Sequence, residues 1–249
     1  MTIQIQMIGT GSAFSKKYFN NNALVYADDF TLLIDCGITA PMALHQLNKT
    51  VQEIDGILIT HLHADHVGGV EELAFQAKYL YNIKPKLFIC SKLLPILWEN
   101  SLKAGLSDGQ GNKLEDFFEV IPIIENENTI ITPSLNIEMI QTKHIPNKLS
   151  YSLLINDDIF YSADMQFDPN LLAHIHKERN CKTILHDCNL EEPGKVEVHA
   201  NLSQLLTLPE EIQDKILLMH YGDNMETFVG KTGKMSFIEQ QKKYIFPKQ

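Results

Sequence analysis

The sequence predicts an α/β fold, and three observations carry that reading. Short apolar runs of strand character alternate with segments of helical spacing through the first half of the chain. The second half is richer in strands and turns, as an antiparallel portion of sheet would be. No Pro/Gly/Ser-rich linker, low-complexity block or repeat divides the 249 residues, so a single domain is expected over 1–249. At 44% hydrophobic residues the chain can bury a substantial core.

Residues 1–9 alternate Ile3, Ile5 and Met7 with Gln4 and Gln6, which is strand spacing and not the charged-then-apolar layout of a signal peptide. Gly9-Thr10-Gly11-Ser12-Ala13 and the polar, aromatic segment 14–22 read as a loop. Two strands, 23–26 and 30–34, flank Asp28-Asp29 as a hairpin that ends at Asp35. Thr39 and Pro41 open a helix carrying Met42, Leu44 and Leu47, with His45 on its surface. Residues 55–60 form a buried strand, and Val67, Val70, Leu73, Ala74, Ala77 and Leu80 then repeat at helical spacing. A strand at 86–90 and a helix at 92–103 repeat this unit. Residues 105–112, dominated by small and polar side chains, are a candidate lid. Strands follow at 118–124, 129–131, 135–141, 151–155 and 159–161. Asp168 caps a helix with Pro169 in its first position, running to about residue 179 with His174 and His176 facing solvent. Residues 183–185 and 216–219 are read as the last buried strands.

The formal charge of −10 disfavours long nucleic acids, whose binding relies on many Lys/Arg contacts to phosphate. A small anion remains possible, since bound metals would supply local positive charge. The longest apolar stretches fall short of the roughly 20 residues a membrane-spanning helix needs. The four cysteines Cys36, Cys90, Cys181 and Cys188 show no CxxC pairing and read as reduced, small hydrophobes, which suits the cytoplasm.

His61-Leu62-His63-Ala64-Asp65-His66 packs four metal-capable side chains into six residues, directly after the buried strand. Alternation aims His61 and His63 to one side, and the turn into the helix brings Asp65 and His66 round to a second point. Two adjacent metals are the simplest use. Imidazole with carboxylate suits zinc or a similar divalent cation, with manganese as the other candidate. Two metals need further ligands, and three positions at the ends of apolar strands qualify: His144, Asp164 and His220. Each alone reads equally well as a loop residue, and their shared placement is what groups them.

These ordered motifs, with Asp35, resemble the metallo-β-lactamase fold superfamily over most of the chain. The resemblance implies an αββα sandwich, two mixed β-sheets packed together with helices on the outer faces. It implies one metal on His61, His63 and His144, a second on Asp65, His66 and His220, Asp164 bridging, and Asp35 orienting the hexapeptide loop. Within the superfamily the ribonuclease Z-like phosphodiesterase branch is nearest, because of Gly9-Thr10-Gly11-Ser12, of Tyr161-Ser162-Ala163-Asp164 (which resembles its YSGD motif), and of His199 between Asp164 and His220. A histidine like His199 is there expected to protonate the leaving oxygen, supported by an acid. Here Asp187 stands where Glu is usual, and the Thr that follows in the family is missing.

Two metals about 3.5–4 Å apart suit in-line attack by an activated water on a phosphodiester, with Asp65 as proton acceptor and His199 as acid. Only 20 positions separate His144 from Asp164, which leaves no room for the long arm with which ribonuclease Z grips tRNA. The substrate expected is therefore a small cyclic nucleotide such as cCMP, cUMP, cAMP or cGMP. The Gly-Thr-Gly-Ser-Ala-Phe start and Met-His-Tyr-Gly-Asp end resemble phage and bacterial anti-Pycsar phosphodiesterases, which evade a cyclic-nucleotide defence and are commonly homodimers. Residues 105–116 and 14–22 are the segments expected to cover the site, with Phe14, Tyr18 or Phe19 available to stack on a base or to make core or dimer contacts. The alternatives are a tRNA 3′-processing endonuclease and a non-catalytic cyclic nucleotide sponge.

Overall fold

Two seven-stranded sheets organise the computed structural model, which describes residues 2–107, 112–192 and 198–247. The strands in chain order are β1 (Thr2–Gly9), β2 (Asn22–Ala27), β3 (Phe30–Ile34), β4 (Gly56–Ile59), β5 (Lys86–Cys90), β6 (Glu119–Ile123), β7 (Asn128–Thr132), β8 (Leu135–Thr142), β9 (Ser150–Ile155), β10 (Ile159–Tyr161), β11 (Thr183–Asp187), β12 (Ile216–Met219), β13 (Ser236–Phe237) and β14 (Lys243–Pro247). The first sheet runs β14-β1-β2-β3-β4-β5-β6 and the second β13-β12-β11-β10-β9-β8-β7. Both are mixed.

The period of two along each strand decides what is buried against what. In β9, Leu153 and Ile155 join a buried cluster that also holds Ile5, Leu24 and Ile57 of the first sheet, so the sheets pack face to face. Leu154 points the other way, into a second cluster with Leu172 and Ile175 of the helix Pro169–Lys177. Leu185 and Ile184 of β11 divide between the two clusters in the same manner. On the first sheet, Ala43, Leu44, Leu73 and Ala74 bring helices Ala40–Gln46 and Val70–Phe75 into the core. These are the layers of an αββα sandwich. No helix among the described residues is long and apolar enough to cross a membrane.

Strand direction places the site. β3 and β4 are parallel neighbours, so residues following them leave the first sheet at one end. β10, β11 and β12 are parallel neighbours, and two successive antiparallel pairings make β8 parallel to β10 as well. Residues that follow β8, β10 and β12, and the last residue of β11, therefore share one edge of the second sheet. Backbone links tie the two edges together: His61 bridges Ser150, and Gly11 bridges Tyr221.

Three local expectations differ from the structure. The helix expected over 67–80 is broken at Gly68-Gly69 into Ala64–Val67 and Val70–Phe75, and closes with a wide turn, Gln76–Tyr81. At the break the backbone of Gly69 lies close against the Gly37 loop, where a Cβ would stand 2.5 Å from the Gly37 carbonyl, and Asp65 and His66 lie buried on the short helix before it. Leu80 is consequently 71% exposed instead of facing the core. The chain also continues past Ile216–Met219 with two strands that the apolar pattern does not announce, of which β14 closes the first sheet against β1. Finally, Asn20, Asn21 and Asn22 in the expected loop are buried. The candidate lid reaches the described residues only at its ends, since 108–111 lie outside them.

Candidate metal centre

Asp35, His61, His144, Asp164, Asp187 and His220 all stand at or just beyond C-terminal strand ends, while His63, Asp65 and His66 come from the turn and short helix after β4. With His199 and without Asp35, these residues fall into three overlapping groups: His61, His63, His144 and Asp164; Asp65, His66, Asp164 and His220; and Asp164, Asp187, His199 and His220. Within each, the potential ligand atoms lie within 4.8 Å of one another. Asp164 is common to all three. His45 and His174, by contrast, are exposed on their helices.

A tetrahedral zinc with bonds of about 2.0–2.1 Å holds its ligand atoms roughly 3.3 Å apart. In the first group, His63 Nδ1 lies 3.2 Å from both His61 Nε2 and His144 Nε2. Asp164 Oδ2 is 3.7 Å from His61 Nε2 and 3.8 Å from His144 Nε2. In the second, His66 Nε2 is 3.3 Å from Asp65 Oδ2 and from Asp164 Oδ1, and His220 Nε2 is 3.4 Å from Asp65 Oδ2 and from Asp164 Oδ2. Both spacings match the edges of a coordination polyhedron.

The outer nitrogens explain why the inner ones face inward. His66 Nδ1 donates to Asp35 Oδ2 at 2.7 Å, and Asp35 also accepts from the Thr60 hydroxyl at 2.7 Å and the Thr60 amide at 2.8 Å. With its hydroxyl proton given to Asp35, Thr60 can accept from His61 Nδ1 at 3.2 Å. His144 Nδ1 donates to the Val198 carbonyl at 2.7 Å. Each of these imidazoles turns its outer nitrogen to an acceptor and its Nε2 to the interior. Among the described residues, buried His66 Nε2 and Asp164 Oδ1 have no hydrogen-bond partner. Lone pairs gathered at 3.2 Å with orphaned buried acceptors are costly unless a cation sits among them. The donor set and spacing thus fit one divalent cation in each of the first two groups.

Electrostatics point the same way. Burial alone would depress His66 and His220, yet surrounding carboxylates, Asp164 foremost, outweigh it and raise both, His220 to about 10. Asp164 and Asp65 are held well below the usual carboxylate range despite burial, Asp164 chiefly by His220 and Asp65 by His66. A cation binding here would replace those protons, so uptake should release acid.

The third group contains a dyad. His199 Nδ1 donates to Asp187 Oδ2 at 2.7 Å, and its ring stacks on that of His220 with centroids 4.9 Å apart. Asp187 also lies 3.7 Å from His220 Nδ1 and accepts from the Met165 amide.

Sequence reasoning missed several supports. Asn22 accepts from the Gly37 amide and donates toward the Asp65 carbonyl, fixing the loop behind the hexapeptide. Gly37 must be glycine there, because a Cβ would lie 1.9 Å from that carbonyl oxygen. Asp223 accepts from Ser15 and the amides of Lys16 and Lys17, tying residues 15–17 to the chain beyond His220. The Asn20–Asn22 run beside Gly9-Thr10-Gly11 was the available signal. Tyr18 packs edge-on against Tyr221, Phe19 packs on the core, and Phe14 is 88% exposed.

Comparison with known proteins settles the lineage. The family model described as anti-Pycsar protein Apyc1 matches residues 3–244. A protein of that name from Paenibacillus sp. (strain J14) is 57% identical over 245 residues, covering 98% of this chain and 99% of its own. The chain belongs to the anti-Pycsar protein Apyc1 family. Another Apyc1, from Bacillus phage BSP38, is 43% identical with 98% of both chains covered. Among solved structures, the metallo-β-lactamase fold protein YhfI from Bacillus subtilis superposes with a TM-score of 0.78 at 16% identity, covering 98% of this chain and 100% of its own. A diphosphatase of the PhnP family gives 0.75 at 15% identity, with 99% and 98% covered. The Apyc1 family chain described here therefore has the metallo-β-lactamase fold.

One residue of the site departs from the motif it resembles. Ala163 occupies the glycine position of YSGD with φ of 49°, in the left-handed region that costs a residue with a Cβ roughly 1–2 kcal/mol. Ala163→Gly relieves that cost but frees the unfolded chain, leaving a net gain of about 0.5–1 kcal/mol. The melting temperature should rise by about 2–3 °C in thermal denaturation. A fall would mean that the Ala163 methyl packs better than its backbone is strained.

Proposed function

We propose that this protein is a dinuclear-metal phosphodiesterase that hydrolyses 3′,5′-cyclic nucleotides, among them cCMP, cUMP, cAMP and cGMP, to linear monophosphates. The observation that carries the reading is the pair of ligand nests sharing Asp164, with the His199–Asp187 dyad beside them. His61, His63 and His144 would hold one cation and Asp65, His66 and His220 the other, with Asp164 between. Zinc is the proposed metal and manganese the alternative. When bound, such cations lower the pKa of water and neutralise charge on phosphoryl oxygens.

The protein's own groups complete the reaction. A water oxygen bonds to phosphorus as the ring P–O bond breaks. Asp65 is proposed to accept the proton lost by the water, and His199 to deliver one to the departing sugar oxygen. Asp187 holds His199 through Nδ1, which leaves Nε2 to face the substrate.

The substrate assignment draws on the name shared by the relatives and on the shape of the 144–164 segment. That segment is a turn followed by β9 and β10, both within the sheet, with no projecting arm to grip a folded RNA. The net charge of −10 also disfavours tRNA. A tRNA-processing endonuclease is thus the weaker reading, and a sponge that binds without cleaving has no use for a poised acid. We further propose a homodimer acting in the cytoplasm, the host's where a phage carries the gene. Exposure of Ile38, Met42, Tyr79 and Leu80 supports self-association.

The deciding experiment incubates purified protein, with its metal content measured, against cyclic mononucleotides and a tRNA precursor. Linear monophosphates should accumulate well before RNA is nicked. Intact cyclic nucleotide after long incubation with zinc or manganese would refute the reading.

A further inference from the structure

A cavity of about 370 Å³ opens directly beside His61, His63 and His144, and nothing in the reaction described above uses it. Its inner wall is apolar, built by Leu62, buried Leu93 and Ile96. Two amides, Asn100 and Asn147, line it from different elements. Asn100 follows Ile96 by four positions in the helical run after β5, so both project from one side of that run. Asn147 sits in a tight turn immediately after His144, where the Lys148 amide donates to the Ile145 carbonyl. Its φ of 62° is a conformation that asparagine tolerates better than other side-chain-bearing residues. Among the described residues, neither side-chain amide has a hydrogen-bond partner. Lys148, which also lines the cavity, flanks Asn147.

The combination is informative because each part has a chemical complement. An apolar slot with convergent, unspent amides suits a flat heterocycle whose faces are apolar and whose edge carries donors and acceptors. The volume lies in the range of about 300–1,000 Å³ typical of small-molecule sites. Position matters equally: a ligand reaching from the cavity across His63 and His144 would set a phosphate against the shared carboxylate. Lys148 would then lie on the path of an anion entering a strongly acidic protein.

We propose that this cavity is the nucleobase subsite, with Leu62, Leu93 and Ile96 contacting the ring face and Asn100 and Asn147 hydrogen-bonding its edge. The proposal rests on the cyclic phosphodiesterase reading and assigns it a specificity pocket. Amides can present either a donor or an acceptor by rotating, so the pocket accommodates bases of different edge pattern.

The test compares a cyclic nucleotide, cCMP, with methyl ribofuranoside 3′,5′-cyclic phosphate, which has the same reacting ring and no base. Asn147→Gly keeps the turn, since glycine accepts positive φ, and Asn100→Ala removes only an exposed amide. Each should raise KM for cCMP about five- to tenfold, with kcat little changed. Ile96→Trp fills the slot and should lower kcat/KM for cCMP on the order of a hundredfold. In every variant the preference for cCMP over the abasic compound should shrink. Calorimetry with a phosphorothioate analogue of cCMP should show the matching loss of affinity without catalysis. Equal losses on both compounds, or unaltered cCMP kinetics in all three variants, would overturn the subsite while leaving the phosphodiesterase reading intact. Failure of the wild-type protein to turn over either cyclic compound, while it cleaves a linear phosphodiester, would overturn the cyclic reading and the subsite together.

Discussion

Asp164→Asn is expected to abolish turnover while leaving the fold standing. Asp164 is 1% exposed and touches both ligand nests, with His66 Nε2 at 3.3 Å, His220 Nε2 at 3.4 Å, and His61 and His144 at 3.7 and 3.8 Å. Asparagine preserves the volume but removes the charge that would balance the two proposed cations and offers one acceptor in place of two. A divalent cation supplies several kcal/mol of charge stabilisation in phosphoryl transfer. At 1.36 kcal/mol per factor of ten, losing it costs on the order of 10⁴-fold in kcat. Metal content of the purified variant should fall in parallel, and circular dichroism should match wild type, because β10 and its neighbours pair through backbone groups that the substitution leaves alone. Wild-type turnover in this variant would sink the assignment of the site.

His199→Ala is expected to lower kcat by about 10²–10⁴-fold with KM little changed, the signature of a group that transfers a proton in the transition state. Its partner predicts the pH dependence. Burial pushes His199 down, but the Asp187 carboxylate, by its charge and its hydrogen bond, more than compensates and raises it above the ordinary histidine value. The protonated ring therefore persists to higher pH, and kcat should fall as pH rises through that raised value. Asp187→Asn deletes the charge while keeping an acceptor, so this alkaline limb should move to lower pH. Asp187→Glu should restore it in part. Coincident limbs in wild type and Asp187→Asn would show that Asp187 serves packing alone. Asp187 is a positioning residue in this scheme, acting on substrate only through His199.

The hexapeptide could be read because its four metal-capable side chains, three imidazoles and a carboxylate, fall within six residues after a strand whose apolar run is unmistakable. His144, Asp164 and His220 were legible for a related reason, since each follows an apolar run that must end at a sheet edge. Asp187 was placed at a strand end by the apolar run before it, but its role, like His199 itself, came from resemblance to a family motif. Thr60 and the Val198 carbonyl left no trace, because a hydroxyl and a backbone oxygen carry no pattern until another residue arrives beside them, and Asn22 showed only as part of the Asn20–Asn22 run. The broken helix at Gly68-Gly69 was hidden for the opposite reason. Its apolar spacing continues across a break that lies against the Gly37 loop, over thirty positions away in the chain.

What the sequence by itself determined is twelve of the fourteen strands among the described residues, the helices Ala40–Gln46 and Pro169–Lys177, the placement of histidines and carboxylates at strand ends, and the shortness of the 144–164 segment. These follow from local periodicity and from residue chemistry, which do not depend on where distant segments lie. What only the tertiary structure decided is that Asp164 lies between two nests, that Asp187 accepts a hydrogen bond from His199, and that β14 closes the first sheet against β1. Those facts depend on the order and direction in which strands pair. Pairing is fixed by the burial of both sheet faces at once, a property of the whole chain and not of any window within it.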